Sequence, residues 1–234
     1  VCLSKDPKDK RWRSSILIEK GETKVVIDTG YEFRLQCLRA GIERLDGVLY
    51  THTHPDHLTG LDDLRAFYRE GKSIDVWGSE KNMERIKNAF PYAFKPFASD
   101  GLPHLSPHCT SPGVPFRVGE IEFIPFSMIH GCRESVGYRF GKCAYVTDVS
   151  DLREEENIKY LLGLDVLIID GLMENRHPSH LSFGEAAEIG KKCGAKKVYF
   201  THISHTMKHE DILEKYKGIA EPSYDTMTLE VEDE

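Results

Sequence analysis

Leu49-Tyr50-Thr51-His52-Thr53-His54-Pro55-Asp56-His57 decides how this chain is read: a short apolar run stops at four potential metal ligands within six residues. Gly47, Val48, Leu49 and Tyr50 predict a short buried strand, and Pro55, which cannot donate to a ladder, ends it. The ligands therefore fall on the loop at a strand end, where binding and catalytic side chains concentrate. In extended chain His52 and His54 project to one side, while Asp56 and His57 lie beyond the proline turn and can point elsewhere, so one loop can serve two metals. A polar surface loop that happens to be His-rich is the alternative. Ligand density directly after an apolar strand favours the metal.

The string resembles the H-x-H-x-D-H signature of the metallo-β-lactamase superfamily, whose pattern continues with a later His, an Asp after a strand and a last His after another strand. Here His130 follows Ile121-Glu122-Phe123-Ile124-Pro125-Phe126, Asp148 ends Cys143-Ala144-Tyr145-Val146-Thr147, and His202 ends Lys197-Val198-Tyr199-Phe200-Thr201. The resemblance implies that His52, His54 and His130 hold one ion, that Asp56, His57 and His202 hold the other, and that Asp148 bridges them. Imidazole and carboxylate suit Zn²⁺ and tolerate Mn²⁺ or Fe²⁺, so ligand type does not fix the metal. Redox di-iron relatives place an acid where this chain has His54, whereas the H-x-H-x-D-H form goes with hydrolases. Two ions ~3.5–4 Å apart would share a hydroxide as nucleophile, lower its pKa and neutralise an anionic substrate oxygen, which fits an ester centre.

The chain has 234 residues, 40% of them hydrophobic, which is the make-up of an ordinary globular protein, and a single domain over 1–234 is expected. A net charge of −7 disfavours tight non-specific binding to nucleic acid or to an anionic membrane. No run approaches the ~18 apolar residues of a membrane span and no secretory leader pattern opens the sequence, so a cytoplasmic protein is expected. Cys2, Cys37, Cys109, Cys132, Cys143 and Cys193 have no framework spacing and read as reduced thiols. The sequence starts on Val1 rather than Met, with no strand ahead of it, which suggests a start lying upstream.

Strands are expected at 14–19 and 24–28 around the turn Gly21-Glu22, and a helix at 32–40 stopped by Gly41. A second helix is expected after the ligand loop, from Leu58 to Gly71, placing the ligands at its N-terminus, where the dipole favours ionised Asp56. A strand at 74–77 and a helix with Ser79 as N-cap follow. Residues 98–115, rich in proline and without periodicity, read as a long loop, and His104, His108 and Cys109 within it read as exposed loop residues rather than ligands. Residues 116–126, 136–140 and 143–146 read as strands, the last two joined by Gly141-Lys142. An acidic-first helix is expected at 151–162, an apolar run at 164–169, and a helix at 182–193 with Ser182 and Glu185 as a capping box. Two strand-rich halves, each closed by helices, imply an α+β protein, a four-layer αββα sandwich of the metallo-β-lactamase type.

Within the superfamily the match narrows at three places. Cys2-Leu3-Ser4-Lys5-Asp6-Pro7 with Arg11-Trp12-Arg13-Ser14-Ser15, then Phe33-Arg34-Leu35-Gln36, and His177-Pro178-Ser179-His180-Leu181-Ser182 with Thr201-His202-Ile203-Ser204-His205 resemble the phosphoribosyl cyclic phosphate phosphodiesterases of phosphonate breakdown. By that resemblance His180 contacts the substrate phosphate and assists the leaving group, so His180 and the metal-bound Asp56 are the candidate catalytic residues. Imidazole can give a proton to a departing alkoxide near neutral pH, although a polar residue leading into the Ser182 helix would look the same. Arg176 and His177 stand nearby as candidate phosphate contacts. The family also has a structural zinc held by three N-terminal cysteines and a His; here only Cys2 and His205 match. Asp28 matches an acid that supports the metal loop from behind, and a strand-end turn former is its other reading.

The expected activity is hydrolysis of a small cyclic phosphate diester, with a small-molecule substrate, no membrane partner and a homodimer left open. A tRNase Z-type endonuclease shares the ligand set, but the negative charge and lack of a long basic arm count against it. Thiolester or lactam hydrolysis gives His180 no role, and a non-catalytic metal-dependent binding protein would need no complete ligand set.

Overall fold

The computed structural model describes residues 1–68, 73–95 and 103–232, which divide into two compact units, Arg13–Phe123 and Val1–Trp12 with Ile124–Glu234.

In the first unit β1 (Ile16–Lys20) and β2 (Thr23–Ile27) pair as the expected antiparallel hairpin. α1 (Phe33–Ala40), closed by Gly41, leads to β3 (Gly47–Leu49), which runs parallel to β2 and is buried throughout. After β3 the ligand loop enters α2 (Pro55–Leu58), a single turn that tightens into a 3-10 helix over Thr59–Phe67. The expected helix is therefore mostly 3-10, and its expected end at Gly71 lies outside the described residues. Gly60 ties this segment down. Its N–H donates to the Thr29 carbonyl at 2.9 Å, and a Cβ there would collide with the Gly30 carbonyl oxygen and Phe33. β4 (Ile74–Ser79) is parallel to β3, and Ser79 caps α3 (Glu80–Ala89) by accepting the Asn82 N–H at 3.2 Å.

The structure overturns part of the long-loop reading. Residues 105–110 form β5 (Leu105–Thr110), parallel to β4, while 98–102 lie outside the described residues. β5 is the edge of the five-stranded sheet β1-β2-β3-β4-β5, and an edge strand tolerates Pro107 and needs little apolar content. The single strand expected at 116–126 is a hairpin, β6 (Phe116–Val118) and β7 (Ile121–His130), turned at Gly119, whose φ of +54° suits glycine. Phe33, Tyr50, Leu61 and Ile86 fill this unit's core.

β7 continues into the second unit, where β8 (Arg133–Phe140) and β9 (Cys143–Val146) follow antiparallel, joined by Gly141-Lys142. The helix expected at 151–162 is only α4 (Glu154–Asn157) and a 3-10 turn over Ile158–Tyr160. Its first residues are held elsewhere, because Asp151 and Ile129 exchange backbone hydrogen bonds at 2.9 and 3.2 Å. β10 (Val166–Asp170), α5 (Phe183–Cys193) and β11 (Lys197–Thr201) form a parallel crossover, and α5 carries the complete capping box of Ser182 and Glu185. α6 (His209–Lys215) and β12 (Glu221–Pro222), which no sequence pattern announced, complete the sheet order β12-β11-β10-β9-β8-β7-β6. Phe126, Val146, Leu167, Phe183 and Phe200 form this unit's core. The N-terminal segment is pinned to the last elements: His209 N–H donates to Asp9 at 2.7 Å and Trp12 N–H to Asp225 at 3.1 Å. The chain is thus a mixed α+β protein of two sheets with helices, as expected. Among the described residues no helix is long and apolar enough to cross a membrane.

Candidate metal and acid–base site

In the first unit the ligand loop leaves β3 and presents His52, His54, Asp56 and His57 together. The His52 ring centroid is 4.6 Å from that of His54 and 4.4 Å from that of His57, and His57 Nε2 is 3.6 Å from Asp56 Oδ2. Asp28, at the end of β2 and fully buried, organises this loop. It accepts the Thr51 N–H at 2.8 Å and the Thr51 hydroxyl at 2.7 Å, and its Oδ2 lies 2.8 Å from His57 Nδ1. Burial pushes the Asp28 carboxyl above the usual range, and His57 and Thr51 oppose that. Because its hydroxyl hydrogen goes to Asp28, Thr51 Oγ1 can accept from His52 Nδ1 at 3.0 Å. Both rings are thereby fixed with Nδ1 as donor and Nε2 as the candidate ligand atom, the usual arrangement behind a metal-bound imidazole.

In the second unit His130, Asp148 and His202 converge. Asp148 Oδ1 is 3.6 Å from His130 Nε2 and 3.5 Å from His202 Nε2, spacings that suit ligands of shared cations. His130 Nδ1 meets the Ser179 carbonyl at 2.7 Å, and burial holds this imidazole below its ordinary pKa, neutral as a ligand must be. Asp28, Asp148 and His202 all adopt left-handed backbone, with φ of 66°, 55° and 56°. Asp and His tolerate that region better than most residues, and such strain gathers at functional sites.

His180 joins this second set. Its Nε2 is 4.0 Å from Asp148 Oδ1, its ring stacks on His202 at 4.8 Å and 16°, and it meets His130 edge-on at 4.7 Å. Asp148, His180 and His202 offer ligand atoms that all lie within 4.8 Å of one another. Nδ1 of His180 is 2.9 Å from Oδ2 of Asp170, which also accepts the Val149 N–H at 3.0 Å. Asp170 is buried at the end of β10, which raises its carboxyl pKa against the pull of His180 and His202. The sequence reading missed Asp170. Its one signal is that it ends an apolar run, as Asp28 and Asp148 do. The donor set fits divalent metal: imidazoles, those of His52, His57 and His130 with Nδ1 anchored, plus carboxylates, in sites where bare charges would be costly.

His108 stacks on Trp77 at 4.8 Å and pairs with Asp75 at 2.9 Å, and His104 stacks on Tyr68 at 4.9 Å. Cys2 and His205 are exposed, and neither belongs to a group of three metal-capable side chains among the described residues.

Residues 23–203 match the Beta-lactamase superfamily domain. The chain belongs to the metallo-β-lactamase superfamily. Superfamily relatives that act on phosphodiesters are metal-dependent hydrolases, and this membership accounts for the ligand pattern. A solved structure described as a new diphosphatase from the PhnP family is 35% identical, with a TM-score of 0.90, covering 99% of this chain and 89% of that one. A ribonuclease Z from a Bradyrhizobium species is 35% identical over 274 residues, covering 91% of each protein. An octanoyltransferase from Porphyromonas gingivalis is 36% identical over 219 residues, 92% of this chain, and this chain spans only 44% of that protein's length.

Proposed function

We propose that this superfamily member is a dinuclear metal-dependent phosphodiesterase that opens a small cyclic phosphate diester such as a phosphoribosyl cyclic phosphate. The observation carrying the reading is His180, anchored through Nδ1 on buried Asp170 with Nε2 4.0 Å from Asp148. Hydrolysis at a ligand cluster needs a proton donor only where the leaving group is poor, and an imidazole beside the candidate ligand Asp148 supports that role. The likeness to a PhnP-family diphosphatase supports chemistry at phosphorus.

As the superfamily resemblance implies for a single domain over 1–234, His52, His54 and His130 would hold one ion and Asp56, His57 and His202 the other, with Asp148 contributing to both. Zn²⁺ or Mn²⁺, with Fe²⁺ as an alternative, would activate water and neutralise charge on the phosphate. Asp28 and Thr51 hold the His57 and His52 rings, and the Ser179 carbonyl holds His130. Asp170 accepts a hydrogen bond from Nδ1–H of His180, so the form that acts as acid is the imidazolium, whose second proton, at Nε2, goes to the departing oxygen.

Hydrolysis of a diphosphate linkage is the second reading, favoured by the diphosphatase activity of the PhnP-family relative. Metal-loaded protein assayed with a ribose cyclic phosphate, a nucleoside diphosphate and a precursor tRNA separates the cases. Fastest turnover of the cyclic phosphate supports the proposal; preference for either other substrate replaces it.

A further inference from the structure

The segment between β10 and α5 carries both side chains that the sequence offers as phosphate contacts, and the structure separates them. The Arg176 side chain is 88% exposed and pairs with Glu185 at 3.5 Å. His177 is half-buried, with its ring centroid 5.2 Å from that of His180.

The hydrogen bonding of His177 fixes which nitrogen is the donor. The Ser179 backbone N–H, which can only donate, is 3.4 Å from His177 Nδ1, and the Ser179 hydroxyl is 3.2 Å from the same atom. Nδ1 is then the acceptor nitrogen, and in the neutral ring the hydrogen sits on Nε2. Ser179 is itself anchored, because its carbonyl accepts from His130 Nδ1 at 2.7 Å. The ring is thus a pre-oriented hydrogen-bond donor next to the proposed acid.

We propose that His177 is a specificity residue whose Nε2–H donates to an oxygen on the leaving side of the substrate. The inference rests on the phosphodiesterase reading above. If His180 gives its proton to the departing oxygen, a donor whose ring lies 5.2 Å away reaches groups a bond or two further along the alcohol. A sugar-like leaving group, with a hydroxyl or ring oxygen there, is the class it selects, and an aryl leaving group without such an oxygen makes no use of it.

The test compares His177→Ala, His177→Gln and His177→Asn in metal-loaded protein, using a five-membered ribose cyclic phosphate and bis(p-nitrophenyl) phosphate. Gln places its amide nitrogen near the imidazole Nε2 position, whereas Asn reproduces only the Nδ1 side that meets Ser179. Losing one hydrogen bond to substrate should raise KM for the cyclic phosphate about tenfold in the Ala and Asn variants with little change in kcat. The loss on the aryl diester should be smaller by about that factor, and Gln should recover most of the cyclic phosphate activity. Rescue by Asn rather than Gln, or equal losses on both substrates, would show that His177 only shapes the Ser179 turn and would overturn the inference. No loss on either substrate overturns it as well. A wild-type protein that cleaves the aryl diester but leaves the cyclic phosphate intact sinks the cyclic-phosphate reading itself, and the sugar-selecting role with it.

Discussion

Nδ1 of His180 lies 2.9 Å from Oδ2 of Asp170, and the same carboxylate oxygen accepts the backbone N–H of Val149, the residue after Asp148. One buried acid therefore fixes both the proposed proton donor and the backbone next to Asp148, the candidate metal ligand beside it.

Replacing His180 by Ala should keep the metals and lower cyclic phosphate turnover by about 10²–10⁴-fold, the usual contribution of a positioned acid. Cleavage of a nitrophenyl diester, whose leaving group needs little proton, should suffer less. Asp170→Asn should repeat the pattern more mildly, since the ring remains but loses the carboxylate that supports its protonated form. Steady-state rates on both substrates decide the matter, and equal losses would assign His180 to binding instead.

Asp148 Oδ1 lies within 4.0 Å of three imidazole nitrogens, those of His130, His180 and His202. Protein prepared without chelator should carry about two divalent ions per chain, and Asp148→Ala should lose at least one of them together with activity. Elemental analysis reads this directly. One ion or none in the parent protein, unchanged on adding Zn²⁺ or Mn²⁺, would refute a dinuclear centre.

Asp28 acts one step further back, through His57 and Thr51. Asp28→Ala should weaken metal binding about 10- to 100-fold, the usual cost of removing the partner behind a ligand imidazole. Competition with a metal-binding dye measures it. Unchanged affinity would make Asp28 a turn former only.

The candidate ligands were legible because each stands where an apolar strand stops, a one-dimensional signal. His52, His54, Asp56, His57, His130, Asp148 and His202 all have that setting. Asp170 has it too, but its partner His180 is ten residues away and joined to it only by folding. β5 was illegible for a different reason. Its stability comes from pairing with β4, register Ile74↔Leu105 to Ser79↔Thr110, so the strand needs neither alternation nor high β-propensity of its own. The helix expected at 151–162 failed because propensity lost to a tertiary contact, the exchange between Asp151 and Ile129.

The last prediction concerns stability and lies away from the ligand clusters. His209 is 3% exposed, its N–H is bound to Asp9, and its ring meets Tyr224 edge-on at 5.7 Å. Burial holds this imidazole below its ordinary pKa of 6.5; Lys8 and Arg11 push the same way, and Asp6 and Asp9 oppose them. Its Nδ1 is buried without a hydrogen-bond partner among the described residues, so a second proton there would be poorly compensated. Well above pH 6.5 both folded and unfolded chains leave the ring neutral, and His209 adds no pH dependence. As pH falls below 6.5 the unfolded chain takes up a proton that the folded chain refuses, so folding loses stability until the lower folded pKa is passed. His209→Phe keeps the backbone bond to Asp9 and most of the packing against Tyr224 but cannot titrate. Protonation of the metal ligands destabilises both proteins alike and cancels in the comparison. Melting temperatures of parent and variant should therefore run parallel above about pH 7 and diverge below about pH 6.5, with the parent falling faster, since the unperturbed imidazole titrates there. Curves that stay parallel down to pH 5 would show that His209 titrates alike in both states.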